Sequence, residues 1–377
     1  MQEEMHLDGC RDRIMNRIIK EDMEYIYQFD REMWEKFRNK TVLVTGAYGM
    51  LPAYMVYMLI YLNEIDETFQ TQIVALARNK NKLVKRFGSY VEKPYFHCYI
   101  ADVCEPIHYE EPIHYIIHGA SPASSQYYST NPVGVLMPNV LGTYYTLELA
   151  KEKQVDGYLY FSSGEIYGKI EKERIYETDD GYMDPADVRS CYGEGKRVGE
   201  TMCKCYSHQF HIPTCMVRPS HTYGPTMDIN NDSRVFSEFV GNIVRNQDIA
   251  IKSDGLASRN FCYIADATLG YFMILLSHGM GEAYNVANEA GKITIRELAE
   301  LLCNMFPEKH LKAIYQKHDA DYLENQHKVH SMQSTEKLKK LGWRPAFGIE
   351  EGFKRTIESF ELEENTDEES KCGSSNL

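Results

Sequence analysis

A chain of 377 residues with 43% hydrophobic and 25% charged side chains has a globular protein's composition, long enough for one large α/β unit or two lobes. Its net charge of −14, from 41 basic and 55 acidic residues, excludes nucleic acid as a partner for want of a basic field, but leaves an anionic small molecule held by local arginines and backbone amides. No apolar run is long enough to cross a bilayer, the N-terminus lacks a secretion signal's apolar core, and ten scattered cysteines form no disulfide framework, which together point to a reducing cytoplasm. Cys203 and Cys205 stand too close in sequence for a zinc knuckle, so they read as structural and no metal is expected.

Residues 1–39 are polar and helix-permissive, with Met15, Ile18 and Ile19 at helical spacing; they predict a helical extension packed on the body or on another subunit. Residues 40–46 form a short apolar strand ending in glycine, followed by a helical stretch at 53–62. Further strands follow at 72–77, 115–118 and 158–163, with a helix at 139–151 before the last of them. Short apolar strands alternating with helices predict a Rossmann-type, doubly wound parallel sheet, assigned to residues 40–215 together with the catalytic residues. From 216 to 360 the rhythm loosens into strand-like pieces and longer loops, as in a smaller C-terminal substrate-binding lobe. The acidic segment 361–377 has almost no large apolar side chains and is expected to be disordered.

The turn after the first strand carries Gly46, Tyr48, Gly49, Met50 and Leu51. Glycines there allow backbone to approach a pyrophosphate, and the helix N-terminus supplies amide donors. A third glycine is usual three residues after the second; here that position is Pro52, tolerable in a first helical turn but implying an altered helix–strand fit. The second strand ends in Arg78 rather than an acid, so NAD and NADP both stay open; Asp102 is a candidate for the adenine amino group.

Ser162-Ser163-Gly164-Glu165 follows a strand, and Tyr192 and Lys196 lie four apart on one helix face. A lysine charge beside a phenol lowers its pKa, so that tyrosinate can take an alcohol proton as hydride leaves; a strand-end serine hydrogen-bonds the same oxygen. An isolated Tyr-x-x-x-Lys is common, but after a strand–glycine turn and a hydroxyl-ended strand it is far more specific.

With these segments in hand, residues 40–360 resemble the sugar-nucleotide epimerase/dehydratase family of extended short-chain dehydrogenases/reductases, and most of all its UDP-glucuronate decarboxylase branch. The discriminating segments are Asp102-Val103-Cys104-Glu105-Pro106 with residues 118–124, and residues 191–203; Arg218-Pro219, Tyr223-Gly224-Pro225 and Arg259-Asn260-Phe261 are shared across the wider family. The resemblance implies Tyr192 as base, Lys196 as its partner on tyrosine and cofactor alike, Ser163 as the hydroxyl, and Glu165 as a carboxylate acting on the intermediate. It implies Val103, Ala120 and Ser121 on the cofactor, and Ser124, His221, Arg234 and Arg259 on a sugar nucleotide. It also implies a homodimer joined through paired helices.

Three positions depart from the family pattern. Gly164 replaces the serine of decarboxylases and the aspartate of dehydratases, His221 replaces an asparagine, and Thr226 replaces an arginine. The expected activity is therefore transient oxidation at sugar C4 with remodelling at C5 and C6, as in UDP-glucuronate decarboxylation. An NDP-hexose 4,6-dehydratase or epimerase is the alternative, and a simple NADPH reductase or a catalytically silent dinucleotide sensor or scaffold stands further off.

Overall fold

The computed structural model describes residues 15–232, 234–315 and 332–373. The first 14 residues of the N-terminal extension and the last four of the chain lie outside the described residues.

Strand β1 (Thr41–Thr45) is buried along its whole length. Val42 and Val44 join one core cluster while Leu43 joins a second, the two-residue period of a strand covered on both faces. Around it lie β2 (Gln72–Ala77), β3 (Phe96–Ile100), β4 (Tyr115–His118), β5 (Gly157–Phe161), β6 (Thr214–Pro219) and β7 (Glu282–Val286). All are parallel, in the order β7-β6-β5-β4-β1-β2-β3. The winding reverses between β1 and β4, and the crevice beyond their carboxyl ends is where such a sheet binds a ligand.

The expected boundary at residue 215 needs correction. It falls inside β6, and β7 returns to the same sheet much later in the chain. The strand-like 215–218 read as the start of a second lobe because sequence rhythm does not show which sheet an isolated strand will join. The smaller C-terminal part consists of insertions around these two strands. In it Ser258–Tyr263 pairs parallel with His221–Tyr223 and antiparallel with Lys292–Thr294.

The expected disorder at 361–377 is also corrected for residues 361–373, which continue the helix Ile349–Gly373. Phe353, Ile357 and Phe360 bury its first half, and once a helix is nucleated each further residue adds one hydrogen bond for little extra cost.

Helix α1 (Arg17–Phe29) starts at Asn16, whose side chain accepts from the Ile19 amide, and buries Ile18, Ile19, Met23 and Ile26. Of the two options for this extension, the described part packs on the body, against α2 (Met50–Ile65) and the helices Ile264–Leu275 and Ile349–Gly373. At the junction Asp22 is fully buried and accepts from Tyr54, from Tyr263 at 2.6 Å, and from Arg355 Nε and Nη2 at 3.1 and 2.7 Å. Burial pushes its carboxyl up to about 6, against the pull of Arg355 and the hydrogen bonds. No described helix is long and apolar enough to cross a membrane.

Candidate active site

The turn after β1 works by close approach. Gly46 has φ +64°, and a Cβ on it would fall 2.8 Å from Ala120 Cα, so the turn sits directly on the end of β4. The Gly49 amide donates to Gly46 O at 2.8 Å, and Gly49 caps α2 without a side chain, leaving first-turn amides for an anion. Pro52 is the third residue of α2, where an N–H has no intrahelical partner. Its ring packs on Gly119: a Cβ there would lie 2.4 Å from Pro52 Cγ. The missing third glycine is thus matched by a glycine on the opposite wall.

A cleft of about 410 Å³ opens at the carboxyl ends of β1, β4, β5 and β6. Gly49, Met50, Leu51, Ser121, Ser124, Tyr192, Lys196 and Arg234 line it, joined by Ser162 and Ser220. The side-chain oxygens of Ser121, Ser162 and Ser220 are buried with no hydrogen-bond partner among the described residues, a set a polar ligand in the cleft would satisfy.

Tyr192 and Lys196 project from α4 (Cys191–Phe210), which packs against α3 (Thr143–Lys153). α4 lies close on β5 because of Gly199, where a Cβ would meet the Tyr160 hydroxyl at 2.2 Å. Lys196 is buried, donates to Phe161 O at 2.5 Å, and holds its ammonium 5.0 and 5.6 Å from the ring centroids of Tyr160 and Tyr192. Burial brings its pKa down to about 7. The Tyr192 phenol is pushed up to about 12 by burial, opposed by its hydrogen bond to Ser163 and by Arg234, with Glu165 adding to the rise. Tyr128 stacks on Tyr192 with centroids 5.0 Å apart and planes 13° from parallel.

Ser163 also accepts from the Glu165 amide at 3.1 Å, opening the 3₁₀ turn Gly164–Tyr167. Glu165 is exposed and close enough to Arg259 to oppose the fall that burial imposes on that guanidinium's pKa. A side chain at Gly164 would point at Gln333, its Cβ 3.2 Å from Nε2. That amide is engaged with Arg218 O and Asn285 Oδ1, each at 3.3 Å.

The remaining expected residues are spread around this centre. Arg234 is paired with Asp232 and donates to Met50 Sδ at 3.6 Å, while Thr226 donates to Met50 O at 2.9 Å. Thr226 and Arg234 are thereby tied to the start of α2. Arg78 and Asp102 stand 3.9 Å apart at the ends of β2 and β3, both well exposed. Tyr48 is half-buried beneath the Lys82 ammonium, and Val103 is buried facing Gly142. Ala120 donates its amide to Thr45 Oγ1 at 3.2 Å and forms the floor under Gly46. His221 is exposed, its ring edge-on to Phe236 and Phe261, and is not among the residues lining the cleft.

Sequence reasoning missed His118, Thr45 and Tyr128. His118 bridges Thr45 Oγ1 at 2.8 Å and Thr143 Oγ1 at 3.2 Å, and burial with the nearby Lys196 charge lowers its pKa to about 3. Thr143 already donates to Asn139 O, so the neutral ring carries its proton on Nε2 and accepts from Thr45 on Nδ1. A histidine ending an apolar strand beside a threonine-ended one was the available signal. Tyr128 gave none, since stacking across separate segments has no spacing.

The left-handed glycine turn, the uncapped α2 terminus and the serines left without a partner among the described residues together suit a dinucleotide. The family model described as the NAD dependent epimerase/dehydratase family matches residues 42–287. UDP-glucuronic acid decarboxylase 6 of Arabidopsis thaliana is 34% identical over 328 residues, spanning 86% of this chain and 90% of that one. Among solved structures, an epimerase of Methanothermobacter thermautotrophicus superposes with TM-score 0.75 at 20% identity, over 91% of this chain and 98% of that one. A dTDP-glucose 4,6-dehydratase of Streptomyces venezuelae, with NAD bound, gives 0.68 at 19% identity over 85% and 96%. The chain belongs to the NAD dependent epimerase/dehydratase family.

Proposed function

We propose that this protein is an NAD-dependent sugar-nucleotide enzyme that decarboxylates UDP-glucuronate through a transient 4-ketone. The observation carrying the reading is an intact Ser163–Tyr192–Lys196 set beside a glycine at 164. In it the Tyr192 oxygen takes the C4 hydroxyl proton, with Ser163 holding the same oxygen and Lys196 stabilising the tyrosinate. The chemistry that NAD supplies there, when bound, is uptake and return of one hydride. Oxidation makes the C5 carboxylate a β-keto acid, so the C5–C6 bond breaks, carbon dioxide leaves, and its electron pair passes into the C4 carbonyl. Glu165 is the proposed source of the proton that returns to C5, and Tyr192 gives back its proton as C4 is reduced. The net change is a carboxylate and a proton exchanged for a C–H bond and carbon dioxide.

Dehydration would need an acid to protonate the departing C6 hydroxide, whereas carbon dioxide leaves without one. Gly164 offers no such acid, and Gln333 fills the space where one would project. The name of the Arabidopsis relative supports the same choice. The test is carbon dioxide release from UDP-glucuronate, run beside dTDP-glucose and GDP-mannose. Release only from the uronate is expected; water loss from a hexose without uronate turnover would overturn the reading. Gly164→Asp is expected to lower stability by about 1–3 kcal/mol, by displacing the Gln333 amide from its two acceptors, and not to create dehydratase activity. Thermal unfolding and product analysis of that variant check both parts.

In this reading Arg234 and Arg259 bind the diphosphate, Ser124 and His221 contact the sugar nucleotide, and Asp102 accepts from the adenine amino group. We also propose a homodimer through the helices that expose Leu141, Tyr144 and Val198. Tyr144→Asp with Val198→Asp is expected to give a monomer in sedimentation velocity; an unchanged dimer would place the interface elsewhere.

A further inference from the structure

Tyr192, Lys196 and Glu200 follow one another at four-residue intervals along one face of α4. Glu200 is held in a fork by Arg218 of β6, with Nε to Oε1 at 2.9 Å and Nη2 to Oε2 at 2.6 Å. Both side chains are nearly buried, at 8% and 12% exposure. Arg218 also donates to Tyr167 Oη at 2.9 Å and Glu177 O at 2.8 Å, so the carboxylate cannot swing away from the helix face. Resting on the assignment of Tyr192 and Lys196 as the proton-transfer pair, we propose that Glu200, clamped by Arg218, is a positioning residue that keeps Lys196 charged in its buried site.

The surroundings of the Lys196 ammonium give this role to Glu200. Its hydrogen-bond acceptor is the neutral Phe161 carbonyl, and the flanking rings are those of Tyr160 and Tyr192. From β4, His118 stays neutral, and from α4 itself the other titratable neighbour, Cys203, is a buried thiol whose pKa is raised by burial. Around Tyr192 the facing groups are Ser163, Glu165, Arg234 and Tyr128. Burial drives the lysine towards its neutral form, and Glu200 is the first of the charges that oppose it. A neutral lysine would no longer stabilise tyrosinate, so the carboxylate acts on the reaction through Lys196 without touching substrate.

The test titrates Lys196 directly, in protein labelled with ¹³C at lysine Cε and free of substrate, with the resonance assigned by its absence in Lys196→Met. Glu200→Gln is expected to lower the Lys196 midpoint by about one unit, a tenfold loss of ammonium at a given pH above it. Glu200→Gln/Arg218→Met leaves no orphaned charge, so it carries the test if the single variant fails to fold, and it is expected to show the same fall. Arg218→Met alone, which keeps the carboxylate but frees it to swing, is expected to show a smaller fall. An unmoved midpoint in the double variant would overturn the proposal. Because no substrate is present, this failure is separate from a failure of the proposed reaction.

Discussion

Tyr192→Phe is expected to lower turnover roughly a thousandfold, within the range removed with a general base, while leaving the fold intact. The ring is held by stacking on Tyr128 and by burial, both of which phenylalanine keeps. What disappears is the oxygen that Ser163 holds. Cofactor binding should survive, because the glycine turn and the serine hydroxyls that line the cleft are untouched. Steady-state rates, with cofactor affinity and thermal midpoint measured on the same sample, check this. Activity within tenfold of the parent would remove Tyr192 from the chemistry.

The second large effect lies far from the cleft. Asp22→Ala is expected to cost about 3–5 kcal/mol, because it leaves Arg355 partly buried without its closest carboxylate and strips Tyr54 and Tyr263 of their acceptor. Replacing both charges, as Asp22→Leu/Arg355→Met, should recover much of that loss, since no charge is then left uncompensated. Equilibrium denaturation of the two variants measures it. The sign of the pH dependence follows from the raised pKa. With a folded value near 6 against 3.8, the native state binds more protons between these values, so the contribution of Asp22 falls as pH rises through about 6. The parent should therefore lose more stability over that interval than an Asp22→Asn protein does. A parent no more sensitive than the variant would mean the Arg355 pairing outweighs burial.

The Rossmann-type sheet was legible because β1, β2, β4 and β5 are short apolar runs buried on both faces, and no helix of ordinary length imitates them. The pairing of Tyr192 with Lys196 was legible because helical spacing alone brings them together, and Ser163 because it closely follows an apolar strand. Membership of β6 and β7 in the main sheet was not, since it depends on pairing between segments far apart in sequence. The Pro52–Gly119 match, the Gln333 amide beside Gly164 and the Arg218 clamp on Glu200 belong to the same class. Each is a contact between distant segments, and neither partner carries a local pattern that names the other. The acidic tail misled for a different reason: composition describes an isolated segment, whereas residues 361–373 continue a helix already anchored by Phe353 and Ile357.

The central claim is a redox cycle that opens and closes at one carbon of a sugar nucleotide. Its most direct test is turnover of UDP-glucuronate carrying deuterium at C4, with the pentose product and the recovered cofactor examined by mass spectrometry. The account predicts carbon dioxide release, deuterium retained at C4 of the pentose, and no net reduction of the cofactor. Deuterium lost to solvent, or decarboxylation accompanied by stoichiometric accumulation of reduced cofactor, would contradict it.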